Sequence, residues 1–350
     1  MTKRKVLFIG TGGTITAKMV NGGWKPGLYS EEELISFIPE IKELADISTL
    51  NLLDIDSSDM QPSYWLQIAQ AINDNYSKYD AFIVTHGTDT MHYTASALSF
   101  LLQGLSKPVI LTGSQVPPHQ IGSDARRNIL DSTRVATESD IHEVVVVFNC
   151  KIIRGNRAKK FREVEFEAFE SVGMLPLGVI EHDIRFTGEH YNNNNKATLK
   201  FFDKIETNVC IQKLTPGFQP AIISELIHLG YRGIVLEGYG AGNVPIKEKS
   251  FIPEIKNAIG KGVPIIVASQ CAIGFSWMSL YENGRTALDA GAIPGHDMIS
   301  ETALTKLMWI LGNMPDLSMR EIKEVFLKDI CGEISDIRNP KEKRVWEYAL

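Results

Sequence analysis

The feature that most constrains how this 350-residue chain folds is a repeated order of short apolar run, small polar turn and helix-like segment. The apolar runs are continuous rather than alternating, which is typical of strands buried on both faces of a parallel sheet. Four of them are Val6–Ile9, Ala81–Val84, Pro108–Leu111 and Glu143–Phe148. This order predicts an α/β fold with a doubly wound, mostly parallel sheet.

Near the middle of the chain the order breaks. The strand-like pieces become short there, and four consecutive asparagines occupy Asn192–Asn195. Alternation resumes with apolar runs at Ile234–Leu236 and Pro264–Gln270, and helices at about 300–311 and 318–327 are predicted to close the chain. We expect a larger N-terminal domain, a linker and a smaller C-terminal α/β domain, with boundaries at 1–190, 191–215 and 216–350.

Composition excludes several classes of function. The net charge is -6, which argues against a nucleic-acid partner held by a basic face. No apolar run is long enough to span a membrane, and the run after the basic start is too short for a secretory signal, so a cytoplasmic location is expected. The four cysteines are far apart and the eight histidines show no ligand spacing, so neither a disulfide framework nor a metal is expected. No cofactor is implied.

The first polar turn is Thr11–Ile15, directly after the apolar run Val6–Ile9. Its two glycines allow a sharp turn, and Thr14 then places a hydroxyl at the carboxyl end of a strand, where ligands bind in open α/β sheets. A plain tight turn or a phosphate loop are the alternatives. The polar segment Thr16–Ser30 that follows is predicted to be a loop of lid length, and Ser30 is predicted to cap a helix through a capping box with Glu33.

A second threonine stands at another predicted strand end. Thr88 is followed by Asp89, and both residue types also cap helices, so a structural role is the alternative. A hydroxyl nucleophile needs a base, and the cation-rich segment Arg154–Arg162 contains lysines that would serve when desolvated beside a carboxylate. His86 also lies at this strand end, where a structural role is expected.

Two of these clusters resemble the signature motifs of the bacterial-type L-asparaginases. They are Thr11–Ile15 and His86–Met91, which occur in the family's order and separation. The similarity covers nearly the whole chain and is greatest to the cytoplasmic type I branch. Further segments that resemble the family are Asp56–Met60, Thr94–Phe100, Lys107–Gln115, Arg154–Arg157, Gly238–Asn243 and Thr302–Leu307.

The resemblance implies L-asparagine amidohydrolase activity through a covalent acyl-threonine. Thr14 would attack the side-chain amide carbon, while Thr88, Asp89 and Lys160 form a proton relay. Lys160 rather than Lys159 keeps the family's spacing to Phe169. The substrate's charged groups would be held by residues that include Thr88 and Asp89, together with Ser57, Ser58, Asp59 and, from a neighbouring subunit, Asn243. The family forms homodimers or dimers of dimers.

Two positions depart from the family pattern. The family usually has a tyrosine about ten residues after the nucleophile, and counting places Trp24 there, with Tyr29 as the nearest hydroxyl. Some cytoplasmic relatives also bind asparagine at an effector site made by a Thr-Gln-Cys strand end and an arginine. Here Cys271 keeps the cysteine, but Glu237 stands at the arginine position, which predicts weak or absent activation by asparagine.

Two rival functions remain. One is the amidotransferase subunit that supplies ammonia for tRNA-bound glutamate, which carries the same threonine motifs together with an additional N-terminal domain. The other is a binding module that keeps the amino-acid pocket without turnover, which would leave Thr14 and Lys160 unexplained as a pair. Asparagine and glutamine differ by one methylene, and the sequence does not predict the ratio of their hydrolysis rates.

Overall fold

The computed structural model describes residues 2–25, 27–187 and 198–335. The chain forms two compact units, the first of Met1–Ser171 and Leu175–Asp203, the second of Val172–Met174 and Lys204–Leu350. Each unit has its own parallel sheet, so the predicted α/β class with a larger N-terminal and a smaller C-terminal sheet is confirmed. The predicted asparagine run, Asn192–Asn195, lies outside the described residues.

The first unit is built on one large sheet with smaller strand pairs beside it. Its strands are β1 (Arg4–Gly12), β2 (Lys18–Val20), β3 (Gly23–Lys25), β4 (Ala45–Ile55), β5 (Ala81–Thr85), β6 (Leu102–Gln103), β7 (Val109–Thr112), β8 (Val144–Phe148), β9 (Lys151–Arg154), β10 (Ala158–Lys160), β11 (Phe169–Ser171), β12 (Gly178–Ile180), β13 (Ile184–Phe186) and β14 (Lys200–Phe201). Its helices are α1 (Glu31–Ser36), α2 (Ile41–Leu44), α3 (Pro62–Asn75), α4 (Met91–Leu101) and α5 (Ala125–Glu138).

The large sheet has the strand order β13-β12-β9-β8-β7-β5-β1-β4. The pairs from β8 through β4 are parallel, whereas β9, β12 and β13 pair antiparallel on one side. Every residue of β5, β7 and β8 is buried, as expected for strands covered on both faces. Because β1, β5 and β7 are parallel neighbours, the turns after them meet at one edge.

The second unit is built on a second parallel sheet. Its strands are β15 (Val209–Lys213), β16 (Gly233–Gly238), β17 (Ile265–Ser269) and β18 (Ile293–Pro294), and they lie in the order β15-β16-β17-β18. The core packs Ile234 and Leu236 of β16 with Val267 of β17, against Phe251 and Ile255. The helices are α6 (Ile222–His228), α7 (Ile252–Gly260), α8 (Glu282–Asp289), α9 (Ser300–Asn313) and α10 (Met319–Phe326).

The structure differs from the sequence prediction at several elements. The segment predicted as a loop over Thr16–Ser30 contains the β2–β3 hairpin. No strand is predicted for β4, because it lies half-buried at the sheet edge and polar residues interrupt its apolar ones. The stretch predicted as a linker contains β15, a five-residue strand. Helix α8 precedes the two predicted closing helices and is missed because its sequence is mostly polar.

Several local predictions are confirmed. Ser30 and Glu33 form the predicted reciprocal capping box at the start of α1. Helix α3 buries the predicted face of Trp65, Ile68 and Ile72. In the described part of the chain, no helix combines the length and the apolar character needed to cross a bilayer.

Candidate active site

The turns after β1 and β5 are packed backbone to backbone through glycines. Gly12 and Gly13 have φ of 99° and 83°, in the left-handed region that side chains rarely adopt. A Cβ on Gly13 would lie 2.3 Å from the Gly87 Cα, and one on Gly12 would lie 2.3 Å from the Ile55 carbonyl oxygen. A Cβ on Gly87 would in turn meet the Ser57 side chain at 2.7 Å. Three polar turns therefore meet at one point.

Thr14 begins a short 3-10 turn, Thr14–Thr16, directly after this glycine contact. Thr14 is half-buried, and its hydroxyl makes no hydrogen bond within residues 2–25, 27–187 and 198–335. The turn is held by Thr16, whose hydroxyl donates to the Gly13 carbonyl at 3.2 Å and accepts from the Gly27 N–H at 3.1 Å. The Thr16 carbonyl also accepts the N–H groups of Leu28 and Tyr29, each at 3.0 Å.

Lys160 joins the two polar residues that follow Gly87. Its Nζ donates to Thr88 Oγ1 at 2.8 Å and to Asp89 Oδ1 at 2.6 Å. The lysine side chain is 13% exposed and the aspartate side chain 64%, so this ion pair is half-screened by solvent. Lys160 reaches the site from β10, where it pairs with Phe169 of β11. The structure thus brings together Thr88, Asp89 and Lys160, which the sequence analysis assigned to one relay.

Gln115, which follows β7, is a site residue that the sequence analysis did not identify. Its Oε1 accepts a hydrogen bond from the Thr88 hydroxyl at 3.1 Å. Its Nε2 donates to the carbonyls of Glu163 and Glu165 at 2.5 and 3.2 Å, which fixes the amide orientation because carbonyls only accept. The Thr88 hydroxyl proton therefore faces Gln115, and its lone pair faces Lys160. In the sequence, the only indication of Gln115 is the Ser-Gln pair at a predicted strand end, within a segment that resembles the family.

The predicted substrate residues follow β4. Asp56 accepts the backbone N–H and the hydroxyl of Ser58 at 2.8 and 2.7 Å and thereby caps the 3-10 turn Ser57–Asp59. Ser57 is buried, its carbonyl accepts the Thr90 hydroxyl at 2.7 Å, and its own hydroxyl has no hydrogen bond among the described residues. Ser58 and Asp59 are exposed. The contact with Gly87 places Ser57 directly against the second turn.

His86 is fully buried beneath the second turn. Burial lowers the pKa of its imidazole to about 4, so the ring is neutral across the physiological range. Its Nδ1 lies 2.7 Å from the Gly87 carbonyl oxygen and its Nε2 lies 2.9 Å from Thr94 Oγ1. Among residues 2–25, 27–187 and 198–335, no group of three or more histidine, cysteine or acidic side chains is close enough to hold a metal ion.

A buried carboxyl lies at the same edge of the sheet. Glu31, in the first turn of α1, is 1% exposed and accepts the Thr85 hydroxyl at 2.5 Å. Its second oxygen is buried without a partner among the described residues. Burial raises the pKa of Glu31 to about 7, and the nearby Asp54 carboxylate adds to the rise. The sequence alone does not mark this glutamate as a site residue.

The two candidate loop aromatics pack against one further ring. Tyr29 lies 5.8 Å and Trp24 lies 5.6 Å from His119, measured between ring centroids. The Tyr29 ring also meets Phe37 edge-on at 5.3 Å and lies 3.9 Å below Lys18 Nζ. In the described part of the chain neither side chain hydrogen-bonds the Thr14 hydroxyl. The catalytic role of Tyr29 stays a prediction.

The second unit places its predicted residues at the edge of its own sheet. Asn243 closes the turn after β16 by exchanging backbone hydrogen bonds with Tyr239 at 2.8 and 2.9 Å. Its Oδ1 is buried and has no partner within the described ranges. Glu237 Oε1 accepts the Ser300 hydroxyl at 2.6 Å, and its Oε2 lies 3.9 Å from Lys213 Nζ. Cys271 is exposed, and its thiol is free.

Comparison with known proteins finds a family match for each of the two units. Residues 5–192 match the family model of the asparaginase N-terminal domain, and residues 208–326 match that of the glutaminase/asparaginase C-terminal domain. One subunit of the glutamyl-tRNA(Gln) amidotransferase of Pyrococcus furiosus is 39% identical over 96% of this chain and 78% of its own length.

Two solved structures resemble the whole fold. The thermostable L-asparaginase from Thermococcus kodakarensis superposes with a TM-score of 0.88 and 33% identity, covering 95% of this chain and 99% of its own. L-asparaginase I from Vibrio cholerae superposes with a TM-score of 0.85 and 33% identity, covering 95% and 100%. The family-model match over residues 5–192 spans the turns that carry Thr14 and Thr88. The chain therefore belongs to the asparaginase family.

Proposed function

We propose that this protein is an L-asparagine amidohydrolase that uses Thr14 as its nucleophile. The observation that most supports the proposal is the contact of Lys160 with both Thr88 and Asp89, beside the glycine contact that positions Thr14. A turn with no chemical role would not need a half-buried lysine that contacts two polar side chains. The L-asparaginases that superpose over both units support the same choice of substrate.

In the proposed reaction the Thr14 oxygen attacks the side-chain amide carbon of asparagine. The C–N bond breaks, ammonia leaves with the proton of the Thr14 hydroxyl, and an ester to Thr14 remains. Water then attacks the ester, aspartate is released and the hydroxyl is restored. Lys160 and Thr88 form the relay that carries the proton from Thr14 to the leaving nitrogen, so the relay accepts one proton and gives up one proton. Backbone N–H groups of the strand-end turns stabilise the negative charge that develops on the carbonyl oxygen.

The α-ammonium and α-carboxylate groups of the substrate each have a partner at this edge. Asp89 and Asp59 are exposed carboxylates that attract the α-ammonium group. The Ser57 hydroxyl has no hydrogen bond within the described residues and is free to bind the α-carboxylate, whereas the Ser58 hydroxyl is already bound to Asp56. We further propose that Asn243 approaches the site of a neighbouring subunit, in a homodimer or a dimer of dimers, and that the protein acts in the cytoplasm.

The decisive experiment measures ammonia release from asparagine and from glutamine by the purified chain and its Thr14→Ala variant. The wild type is expected to release ammonia from asparagine, and T14A is expected to release almost none. Thr137→Ala is the control, because this partly buried threonine on α5 only bonds backbone carbonyls of its own helix. Mass spectrometry of acid-quenched wild type should find an added aspartyl group on the Thr14 peptide. Full activity of T14A would refute the proposal.

A second function is favoured by the identity to an amidotransferase component. The relative from Pyrococcus furiosus is named for glutamyl-tRNA(Gln), and its identity to this chain, 39%, exceeds the 33% of the two solved L-asparaginases. If the chain supplies ammonia within such an assembly, asparagine hydrolysis by the isolated protein should be weak and should rise when glutamyl-tRNA and a partner subunit are added. Full turnover by the isolated chain would exclude this alternative.

A further inference from the structure

A chain of three buried side chains ends on the backbone of the second turn. Trp65 Nε1 of α3 donates to Thr94 Oγ1 of α4 at 3.0 Å, and this hydroxyl lies 2.9 Å from His86 Nε2. His86 Nδ1 then lies 2.7 Å from the Gly87 carbonyl oxygen. Thr94 and His86 are 0% exposed and Trp65 is 5% exposed, so water does not compete for these bonds.

The direction of every hydrogen bond in this chain follows from the groups present. The Gly87 carbonyl can only accept, so His86 Nδ1 carries a proton. The buried ring is neutral, and its Nε2 must therefore accept the Thr94 hydroxyl proton. The indole N–H of Trp65 can only donate, and it fills a lone pair of Thr94. The Trp65 N–H, the Thr94 hydroxyl and both His86 ring nitrogens each have a partner, so the chain holds one geometry.

The end of the chain controls the peptide group that precedes Thr88. The Gly87–Thr88 peptide is trans, so its C=O and N–H point in opposite directions. With the carbonyl held in the core by His86, the Thr88 N–H points away from the core. Among the described residues this N–H makes no hydrogen bond. Because Gly87 abuts Gly13, the peptide lies beside the turn that carries Thr14.

We propose that His86, fixed by Thr94 and Trp65, is a positioning residue that aims the Thr88 N–H at the carbonyl oxygen of the bound amide. This inference rests on the proposed amidohydrolase function. A hydrogen bond to the carbonyl also polarises the peptide group and strengthens its N–H as a donor. The donor is then oriented before the negative charge develops, which is the condition under which such donors accelerate acyl transfer.

The kinetic test compares two substitutions of His86. His86→Leu removes both ring nitrogens, whereas His86→Asn keeps an amide donor near the position of Nδ1. H86L is expected to lower kcat for asparagine by about 10²–10³-fold with little change in KM, the loss typical of a missing oxyanion donor. H86N is expected to recover most of kcat. An equal loss in both variants would indicate a purely structural role and overturn the inference.

The middle of the chain is tested with a matched pair of threonines. Thr94→Val breaks the link between Trp65 and His86, and Thr133→Val removes an equally buried hydroxyl that donates only to Ile129 of its own helix. T94V is expected to lower kcat by about tenfold, and T133V is expected to leave it unchanged. Equal kcat values for the two variants would contradict the inference.

A spectroscopic measurement keeps the test independent of variant folding. Long-range ¹H–¹⁵N NMR of histidine-labelled wild type should show His86 as the neutral Nδ1–H tautomer from about pH 5 to pH 8. The opposite tautomer, or an imidazolium in this range, would overturn the inference. A wild type that releases no ammonia refutes the proposed function and this inference with it. An active wild type whose H86L variant keeps its kcat refutes this inference alone.

Discussion

The turn after β5 and the turn after β16 occupy the same place in their two sheets, at the carboxyl end of a strand with parallel neighbours on both sides. After β5, Lys160 reaches across from another strand, and the Thr88 N–H carries no hydrogen bond among the described residues. After β16 the turn closes on itself through Tyr239 and Asn243, and the Ser269 hydroxyl donates to the Gly240 carbonyl at 2.6 Å.

This difference shows that topology selects the edge but not the chemistry. Parallel strands bring polar turns to the same edge in both units, as the ligand rule for open sheets requires. At the first edge some polar groups are left for a ligand, whereas at the second edge the carboxylate of Glu237 is occupied by Ser300 and lies near Lys213. Among the described residues, the two edges therefore differ in which groups are left unpaired: the Ser57 hydroxyl and the Thr88 N–H at the first, and the Asn243 Oδ1 at the second. Four experiments test that contrast, in order of decreasing effect.

The largest effect is expected from removing the cation at the first edge. Lys160→Met should lower kcat/KM for asparagine by about 10³-fold, because it removes the group that we propose to exchange protons with Thr88. Lys159→Met is the matched control, since successive strand residues point to opposite sides and Lys159 pairs in register with Glu170. K159M should stay near the wild-type value. Equal losses in steady-state assays would show that neither lysine has a specific role.

The next effect concerns the backbone contact between Gly13 and Gly87. Gly13→Ala should lower the free energy of unfolding by about 3 kcal/mol or more, because the added methyl overlaps Gly87. Gly240→Ala carries the same left-handed strain, with φ of 46°, but no atom lies within 4 Å of its Cβ. It should cost about 1 kcal/mol in urea unfolding. Similar losses in both variants would contradict the proposed backbone contact.

A third comparison sets the carboxyl at the first edge against that at the second. Burial raises the pKa of Glu31 from 4.5 to about 7, so the folded state binds its proton more tightly than the unfolded state does. The free energy of unfolding should therefore fall as pH rises through this window and stay low above it. Glu31→Gln should add about 3 kcal/mol at about pH 8 and little near pH 4.5.

The control for this comparison is Glu237→Gln. Because Glu237 already has Ser300 and Lys213 as partners, E237Q should not stabilise the protein at either pH. Chemical denaturation of both variants and the wild type at the two pH values provides the measurement. A Glu31→Gln variant with an unchanged pH dependence would mean that Glu31 is charged and paired in the folded state.

The smallest effect is expected at the second edge itself. Asparagine saturation should be hyperbolic, with a Hill coefficient of about 1, because Glu237 would repel the carboxylate of an effector. Cys271→Ser should leave the curve unchanged. Sigmoidal saturation of the wild type would overturn this expectation and would show that the second edge binds a ligand in spite of its internal pairing.

Much of the first edge could be predicted from short segments of sequence. The apolar run before Thr14 and the one before Thr88 both end in glycine turns, and parallel pairing brings such turns together. The choice between Lys159 and Lys160 depends on the spacing that the family keeps to Phe169, because strand alternation alone does not say which lysine faces the site. The capping box at Ser30 was readable because all its partners lie within four residues.

Other parts of the site depend on contacts between distant segments. Gln115 is identified as a site residue only through contacts with distant residues. Its amide group donates to the carbonyls of Glu163 and Glu165, about fifty residues later in the chain. Glu31 reads locally as an acid in a first helical turn, and only the packing of α1 on β1 and β5 buries it. Strand β4 was missed because an edge strand keeps a mixed polarity that resembles a loop.

The pairing of Thr16 with Gly27, Leu28 and Tyr29 has a consequence for engineering. Thr16 precedes the β2–β3 hairpin and binds the backbone N–H groups that follow it, so the two ends of this segment are held together. An exchange of the hairpin above Thr16 should therefore leave the turn that carries Thr14, the proposed nucleophile, in place.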